Sequence, residues 1–395
     1  MKRLLKVSFD TALFSFIPIL QWFLLSLIVD KNLINIFSLV YPIQFILCMI
    51  KSIFSTGANI NKVKDKNKDA VMSGLMVGSI IGLLIFGFLV LNVEKYISFM
   101  NMDVNTYKNF TMYYFIQLYL QLIFSFILEK LYYENKNTIA NVYSLIFNFL
   151  NISLLVIGLL FIKNEMIVIT ITLFVLFIFV LYISIKNSDK FKVNIDLFKF
   201  IKYNSVDLVN NIMFFFIFLF GLSNAMDFGE QYALAITFVA LITDTQWDAA
   251  DSISTIAKID ISKGNFNYNI HKKNAYNLIF ILFSTTLIMF ITLYRFYDLN
   301  IILTFIYLGF EIINFIIYPI YRLKTCYLQL EYSALKITSN KVISGILRFF
   351  ISLVKSPFCT GLGQVTSSIY QFITVGYLFH QNYLVDKDGY VKKKI

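Results

Sequence analysis

Three aspartates, Asp244, Asp248 and Asp251, lie within one long apolar segment of the chain. Their spacing of four and then three residues places them on one face of a helix. Carboxylates inside a hydrocarbon layer are costly unless they face water or a partner, so each is a candidate functional group. Mutual repulsion and loss of water both favour proton uptake by such carboxylates. The pattern predicts a proton or sodium site centred on Asp244 and Asp248. The alternative is a polar stripe that lines a wet cleft or is held by Arg348 or Lys51.

The elements that must position these residues are a series of twelve apolar segments. Most of them are near the twenty or so residues that a helix needs to cross a bilayer. The segments are 8–29, 33–57, 71–93, 110–128, 138–162, 166–185, 203–225, 231–257, 274–293, 299–320, 340–356 and 364–380. Of the 34 Lys and Arg residues, 26 fall in or at the edge of every second gap, starting from the N-terminus, and six in or at the edge of the other gaps. This alternation predicts about twelve spans with both termini cytoplasmic. Residues 325–339, between the tenth and eleventh segments, could form an interfacial helix.

Composition assigns the chain to the polytopic membrane proteins. Its 395 residues are 58% hydrophobic and 14% charged, which predicts an all-α protein of the plasma membrane of a bacterial-type cell. The net charge of +11 falls mainly in the predicted cytoplasmic loops, so we expect contact with anionic lipid and none with nucleic acid. No phosphate-binding loop, nucleophile–histidine arrangement or metal-ligand spacing is present in the sequence. We therefore expect a non-enzymatic monomer whose partners are the bilayer and a small-molecule substrate, with no cofactor or metal beyond a coupling H⁺ or Na⁺.

The chain also divides into two similar halves. The longest polar connection, near residues 186–202, falls at its middle, as expected of a duplicated transporter. Ser8 and Asp10 open the first span as Ser205 and Asp207 open the seventh. We therefore predict two pseudo-symmetric six-helix lobes, 1–190 (spans 1–6) and 191–395 (spans 7–12).

The internal repeat also pairs residues of opposite charge. At an offset of 200 residues, Lys51 in the second span corresponds to Asp251 in the eighth. If these spans face each other, the two side chains lie at matched depth, and we predict a gate-like ion pair in an outward-facing state. Asp10 and Asp207 sit at a similar level and are candidates to complete the ring. The alternative is that each side chain extends to nearby headgroups.

Other charged and amide side chains fall within or beside the spans. Arg348 needs a carboxylate or a water-filled cavity, and Glu311 in the neighbouring span is the expected partner; a substrate contact is the alternative. Glu129 and Glu331 lie at segment ends and are expected to be solvated. Amides within the spans are expected to pack helices through interhelical hydrogen bonds; they are Gln117, Gln121, Asn148 and Asn151.

Several motifs in the N-terminal half resemble those of the multidrug and toxic compound extrusion (MATE) transporters, within the larger flippase-like superfamily. The second span contains Ser38-Leu-Val-Tyr-Pro42 and ends in Ser55-Thr-Gly57-Ala58-Asn59; the third carries Gly74, Gly78 and Gly82, and the fifth carries Asn148 and Asn151. The resemblance implies two six-helix bundles around a central cleft. It also implies export driven by a proton or sodium gradient, through rocking between inward- and outward-facing states.

The chain departs from that family at the acidic positions. The usual first-span acid falls near Leu20 or Gln21, and the seventh-span acid of some members near Phe214 or Phe215. Three interpretations follow. The first is a secondary exporter of amphipathic, cationic compounds. The second is a flippase for a lipid-linked precursor, against which stands the small number of basic residues counted inside spans, Lys51 and Arg348. The third is a non-transporting member of the family.

Overall fold

Long helices make up most of the protein. The computed structural model describes residues 1–29, 33, 36–100, 103–162, 164–189, 192–226, 228, 230–293 and 300–394. Within these ranges the helices are α1 (Lys2–Ile28), α2 (Ile36–Lys51), a π-helix (Ser52–Gly57), α3 (Ala58–Lys64), α4 (Ala70–Leu91), α5 (Val93–Phe99), α6 (Val104–Tyr133), α7 (Asn137–Phe161), α8 (Glu165–Lys186), α9 (Leu197–Met226), α10 (Glu230–Ser262), α11 (Tyr268–Leu293), α12 (Ile301–Glu331), α13 (Ala334–Ser352) and α14 (Cys359–Asn382). The prediction of an all-α protein is confirmed.

Each predicted apolar segment corresponds to one long helix, the second being built from α2, the π-helix and α3. Seven helical stretches in the described ranges are long and apolar enough to cross a membrane: Leu39–Lys64, α4, α6, α7, α8, Tyr268–Ile291 in α11, and α12. This agrees with the predicted polytopic membrane protein. The prediction of a separate interfacial helix over 325–339 is wrong. These residues belong to two helices, because α12 continues to Glu331 and α13 begins at Ala334.

The chain forms two compact units. The N-terminal unit comprises residues 13–204, and the C-terminal unit comprises residues 1–12 and 205–395. The boundary falls in α9, where Asn204 departs from helical geometry (φ −134°, ψ 25°). The predicted division into lobes 1–190 and 191–395 stays a prediction.

A stripe of small residues allows close packing in the N-terminal unit. Gly74, Gly78 and Gly82 recur every fourth residue on α4. A Cβ atom added at Gly74 would lie 2.2 Å from the backbone oxygen of Phe54, and one at Gly78 would lie 2.6 Å from Phe126. Only glycine permits this approach of helix backbones, as is common between membrane helices. The stripe holds α4 against the π-helix and α6.

The first residues of the chain pack with the C-terminal unit. The hydroxyls of Ser8 and Ser252 hydrogen-bond at 2.6 Å. Outside the predicted spans, Arg3 Nη1 donates to Asp260 Oδ1 at 2.8 Å, and His271 Nε2 lies 3.2 Å from Asp260 Oδ2. Burial opposes ionisation of Asp260, but His271 and Arg3 outweigh it and lower the pKa of this carboxyl below its usual value.

A short hairpin ends the described chain. Strands β1 (Tyr383–Val385) and β2 (Val391–Lys393) pair antiparallel, with Leu384 opposite Lys392. The backbone N–H of Tyr268 donates to the carbonyl of Gly389 at 2.8 Å, which fixes the hairpin to the start of α11.

Candidate functional site

A chain of polar side chains crosses the interior of the C-terminal unit. Trp247 of α10 donates its indole N–H to Glu311 Oε2 of α12 at 2.7 Å. Gln364 of α14 donates to the same oxygen at 3.1 Å. The Gln364 amide oxygen accepts from Arg348 Nη2 of α13 at 3.4 Å. Four helices thus contribute to one network.

Glu311 and Arg348, the predicted intramembrane pair, both belong to this network, and Gln364 lies between them. Arg348 is 7% exposed, and its guanidinium lies 4.6 Å from the ring centroid of Phe214. Its charge also acts on Glu311. A planar guanidinium that stacks on an aromatic face and binds an amide can lie inside an apolar bundle, which an isolated lysine does poorly.

Aromatic rings surround the acidic end of the network. Trp247 stacks on Phe315 with ring centroids 4.2 Å apart and meets Tyr318 edge-on at 5.3 Å. The Tyr318 hydroxyl donates to Asp251 Oδ1 at 2.7 Å. Such a surface offers large apolar area with a few fixed polar groups, as small-molecule sites do.

The two predicted coupling residues, Asp244 and Asp248, lie on α10 on either side of Trp247. Asp244 and Asp248 are half-buried, and Asp251 is exposed. At 1.5 Å per residue, Asp244 lies about 27 Å and Asp248 about 21 Å from the end of α10 at Ser262. Both therefore lie several turns from the C-terminal end of the helix, and their role as a coupling site stays a prediction.

A second buried charge cluster lies nearer the C-terminal ends of α10 and α12. One carboxylate, Asp207 of α9, pairs with Lys258 of α10 and with Arg322 of α12. Lys258 is 1% exposed and Arg322 is 9% exposed. Asp207 was predicted as a gate residue; the structure places it between these two cations.

The remaining gate candidates are placed separately. Lys51 ends α2 in the N-terminal unit and is half-buried. Asp10 lies in α1, and its side chain is outside the described residues. The ion pair between Lys51 and Asp251 stays a prediction.

The N-terminal unit has its own polar cluster. Gln21, near the expected position of the family acid, is fully buried and donates to the backbone oxygen of Asn151 at 3.0 Å. The Tyr113 hydroxyl donates to the Asn151 side-chain oxygen. Asn151 therefore joins α7 to α1 and α6, as expected for an interhelical amide. Gln117 and Asn148, by contrast, hydrogen-bond within their own helices.

The prediction that Glu129 is solvated is wrong. Glu129 is 4% exposed and accepts a hydrogen bond of 2.8 Å from Ser55 in the π-helix. Its sequence position at a segment end gave no sign of burial, because the π-helix that covers it comes from a distant part of the chain. Glu331 is exposed, in agreement with the prediction.

Sequence reasoning missed several members of these clusters. Lys258 and Arg322 were counted with the loops, and Trp247 and Gln364 were assigned no role. A usable signal was the unusual run Gly361-Leu-Gly-Gln364, since two small residues directly before an amide favour close packing of helices. In the part of the chain that the structure describes, no three His, Cys, Asp or Glu side chains are grouped to hold a metal ion.

Comparison with solved structures identifies the fold as that of the MATE transporters. A multidrug resistance MATE family transporter of the MOP superfamily, in its outward-facing conformation, matches with a TM-score of 0.70 at 12% identity over 96% of each chain. A MATE protein in the straight conformation matches with a TM-score of 0.71 at 12% identity over 96% of each chain. A MOP superfamily transporter from Pyrococcus furiosus, described as having a binding pocket of reverse polarity, matches with a TM-score of 0.69 at 12% identity over 96% of each chain.

In comparisons of sequence, no protein-family model and no curated protein matches the chain. The structural matches confirm the expected resemblance to the MATE transporters for the fold.

Proposed function

We propose that this chain is a secondary active exporter of amphipathic, cationic small molecules. In this proposal it works by alternating access in the cell membrane, with both termini cytoplasmic, and a proton or sodium gradient drives it. Its fold, shared with proteins described as multidrug resistance transporters, supports transport as the activity.

The observation that carries the proposal is the combination of Glu311 with the aromatic side chains around it. Trp247 both hydrogen-bonds this carboxylate and stacks on Phe315. An aromatic surface beside a carboxylate matches a molecule with an apolar body and a positive charge. Asp244 and Asp248, on either side of Trp247, add negative charge along the same helix and favour a cation further.

Ion coupling is assigned to Asp244 and Asp248. Two carboxylates one helical turn apart repel when both are ionised, so binding of a proton or of Na⁺ between them relieves that repulsion. A substrate cation that approaches the same stripe competes with the bound ion. Such competition is a physical basis for exchange of one against the other.

The gate is assigned to Lys51 and Asp251, with Asp10 and Asp207 as further members of the ring. In the outward-facing state an ion pair between Lys51 and Asp251 would close the cytoplasmic side. The charge swap Lys51→Asp with Asp251→Lys should restore transport that each single change abolishes. A double variant as inactive as the single variants would count against the pair.

The test of the main proposal is movement of a fluorescent cationic dye in proteoliposomes under an imposed proton or sodium gradient. Wild type is compared with Asp244→Asn and with Asp388→Asn, which makes the same chemical change at an exposed hairpin position. We expect gradient-driven movement in wild type and Asp388→Asn and its loss in Asp244→Asn. No movement under any gradient in well-folded wild type would contradict the proposal.

A flippase for a lipid-linked precursor is the second candidate, and one observation favours it. Three basic residues counted as loop residues, Lys258, Arg322 and Lys341, lie inside α10, α12 and α13. The C-terminal unit therefore has more internal positive charge than the sequence indicated. Movement of a fluorescent lipid-linked anion across the vesicle membrane, without movement of the cationic dye, would favour this candidate.

A further inference from the structure

One face of α13 packs against α9 along a stripe of residues spaced by three and four. Thr338 and Ser205 hydrogen-bond through their hydroxyls at 2.5 Å. Two turns later, Gly345 lies so close to Met213 that an added Cβ would be 2.7 Å from its side chain. Lys341 falls between these two contacts on the same face. Its side chain therefore points toward α9 inside the C-terminal unit.

Lys341 makes no hydrogen bond, ion pair or ring contact within the described ranges, although it is half-buried. The charged groups that act on it are Arg322, Arg348, Asp207 and Asp251, with the two arginines acting most strongly. A half-buried ammonium needs a counterion or water to compensate for its lost hydration.

The neighbouring carboxylates are already engaged. Asp207 is shared by Lys258 and Arg322, and Asp251 accepts a hydrogen bond from Tyr318. Lys258, Arg322 and Lys341 thus outnumber these two carboxylates, and Asp207 is already shared by the first two cations.

Arg322 pairs with Asp207 of α9, the helix that Lys341 faces, and offers a further donor there. Its Nε–H is buried and has no hydrogen-bond partner among the residues described. A buried donor without an acceptor destabilises the folded protein. An acceptor that carries negative charge would satisfy both the arginine and the lysine.

We propose that Lys341 and Arg322 form a binding site for an oxyanion, the phosphate or carboxylate group of an amphipathic molecule or lipid. An arginine supplies directional N–H groups and a lysine a compact charge, a combination suited to such a group. This site goes beyond the proposed export function because it requires binding only, with no gradient and no transport.

The test is a calorimetric titration of inorganic phosphate into the full chain in nanodiscs of phosphatidylcholine. Wild type is compared with Lys341→Met, Lys341→Arg and the matched control Lys336→Met. Lys336 lies on the same helix but is exposed, with its Nζ donating to the Tyr332 hydroxyl at 3.0 Å. We expect saturable binding to wild type, Lys341→Arg and Lys336→Met. Loss of the Lys341 charge should weaken the affinity about tenfold or more.

A stability measurement guards against misfolding. Because Lys341 makes no ion pair within the described ranges, Lys341→Met should unfold, without phosphate, at a midpoint no lower than that of wild type. Unchanged phosphate affinity in Lys341→Met, or no saturable binding to wild type in any nanodisc, would overturn the proposal. A lower unfolding midpoint in Lys341→Met than in Lys336→Met would also overturn it, because it would show that the lysine already has a stabilising partner.

The source of the anion is distinguished by repeating the titration in nanodiscs of phosphatidylglycerol. If a lipid headgroup fills the site, the apparent phosphate affinity of wild type falls in the anionic lipid. If the ligand is a free molecule, the affinity is the same in both lipids. Both outcomes support an oxyanion site and identify its occupant.

Discussion

Replacement of Asp207 by asparagine tests the strongest buried electrostatic interaction in the C-terminal unit. The carboxylate serves two cations, and their side chains are only 2% (Lys258) and 10% (Arg322) exposed. Removal of one partner from a buried ion pair typically costs about 3–5 kcal/mol, because the remaining charge stays buried without compensation. Asp207→Asn leaves two such charges. We therefore expect a loss of about 3–5 kcal/mol in the free energy of unfolding.

Replacement of one of the two cations, by Lys258→Met, is expected to lower the free energy of unfolding less than Asp207→Asn does. Lys258→Met leaves Asp207 and Arg322 as a one-to-one pair with no net charge. In the double variant Asp207→Asn with Lys258→Met, the methionine removes one of the two cations that Asp207→Asn leaves without a carboxylate. The losses in unfolding free energy of the two single variants should therefore not add. We expect a coupling energy within the range of about 0.5–3 kcal/mol seen for residues in contact.

The assay is reversible unfolding in mixed micelles of a mild detergent and dodecyl sulfate, followed by tryptophan fluorescence. Asp388→Asn is the control, with an expected change within about 0.5 kcal/mol because its side chain is exposed. An Asp207→Asn variant within about 1 kcal/mol of wild type, the value of an exposed ion pair, would refute the reasoning. So would a Lys258→Met variant less stable than Asp207→Asn.

Two further predictions follow from packing and from titration. Gly74→Ala should destabilise the N-terminal unit by about 1–3 kcal/mol, because the new methyl group meets the backbone of Phe54; Gly87→Ala on the same helix, with nothing within 4 Å of the added atom, should be neutral or stabilising by up to about 1 kcal/mol. Unfolding midpoints of the two variants check this, and equal midpoints would contradict it. The lowered pKa of Asp260 means that its ionised form stabilises the folded state above its unfolded pKa of about 3.9 and that this stability is lost as pH falls through the folded pKa. Asp260→Asn should therefore be less stable than wild type at neutral pH, with the difference shrinking in acid; a difference that grows in acid would contradict the assignment.

The sequence was sufficient to predict the helices but less so their ends. Hydropathy located a helix for every apolar segment, because each stretch that crosses a membrane must satisfy its backbone hydrogen bonds internally. The predicted ends followed the first charged residues, whereas α12 continues eleven residues beyond the predicted 320, to Glu331. A helix does not end where hydrophobicity ends, because polar side chains can pair with neighbouring helices inside the bundle.

Partners within the candidate site depend on helix packing, which one sequence does not define. The helical spacing of Asp244 and Asp248 needs no tertiary information, and their role as an ion site stays a prediction. Gln364, by contrast, is separated from Glu311 by more than fifty residues, and no local pattern predicts that they meet. Glu129 shows the same limit in the N-terminal unit, since its burial depends on a π-helix far away in sequence.

Three basic residues that were counted with the loops, Lys258, Arg322 and Lys341, lie within helices and contribute to the electrostatics inside the C-terminal unit. The count of Lys and Arg in alternate gaps includes Lys258, Arg322 and Lys341, and the membrane topology that this count indicates stays a prediction. Inside the helices, however, they balance or exceed the nearby carboxylates. A count by the positive-inside rule alone therefore overlooks charges inside a bundle whenever helices extend beyond their apolar cores. In the C-terminal unit, Asp244, Asp248 and Glu311 add negative charge, whereas Lys258, Arg322 and Lys341 add positive charge. We propose a cationic substrate beside the first set and an oxyanion at Arg322 and Lys341 of the second, so the dye assay and the phosphate titration test the two sets separately.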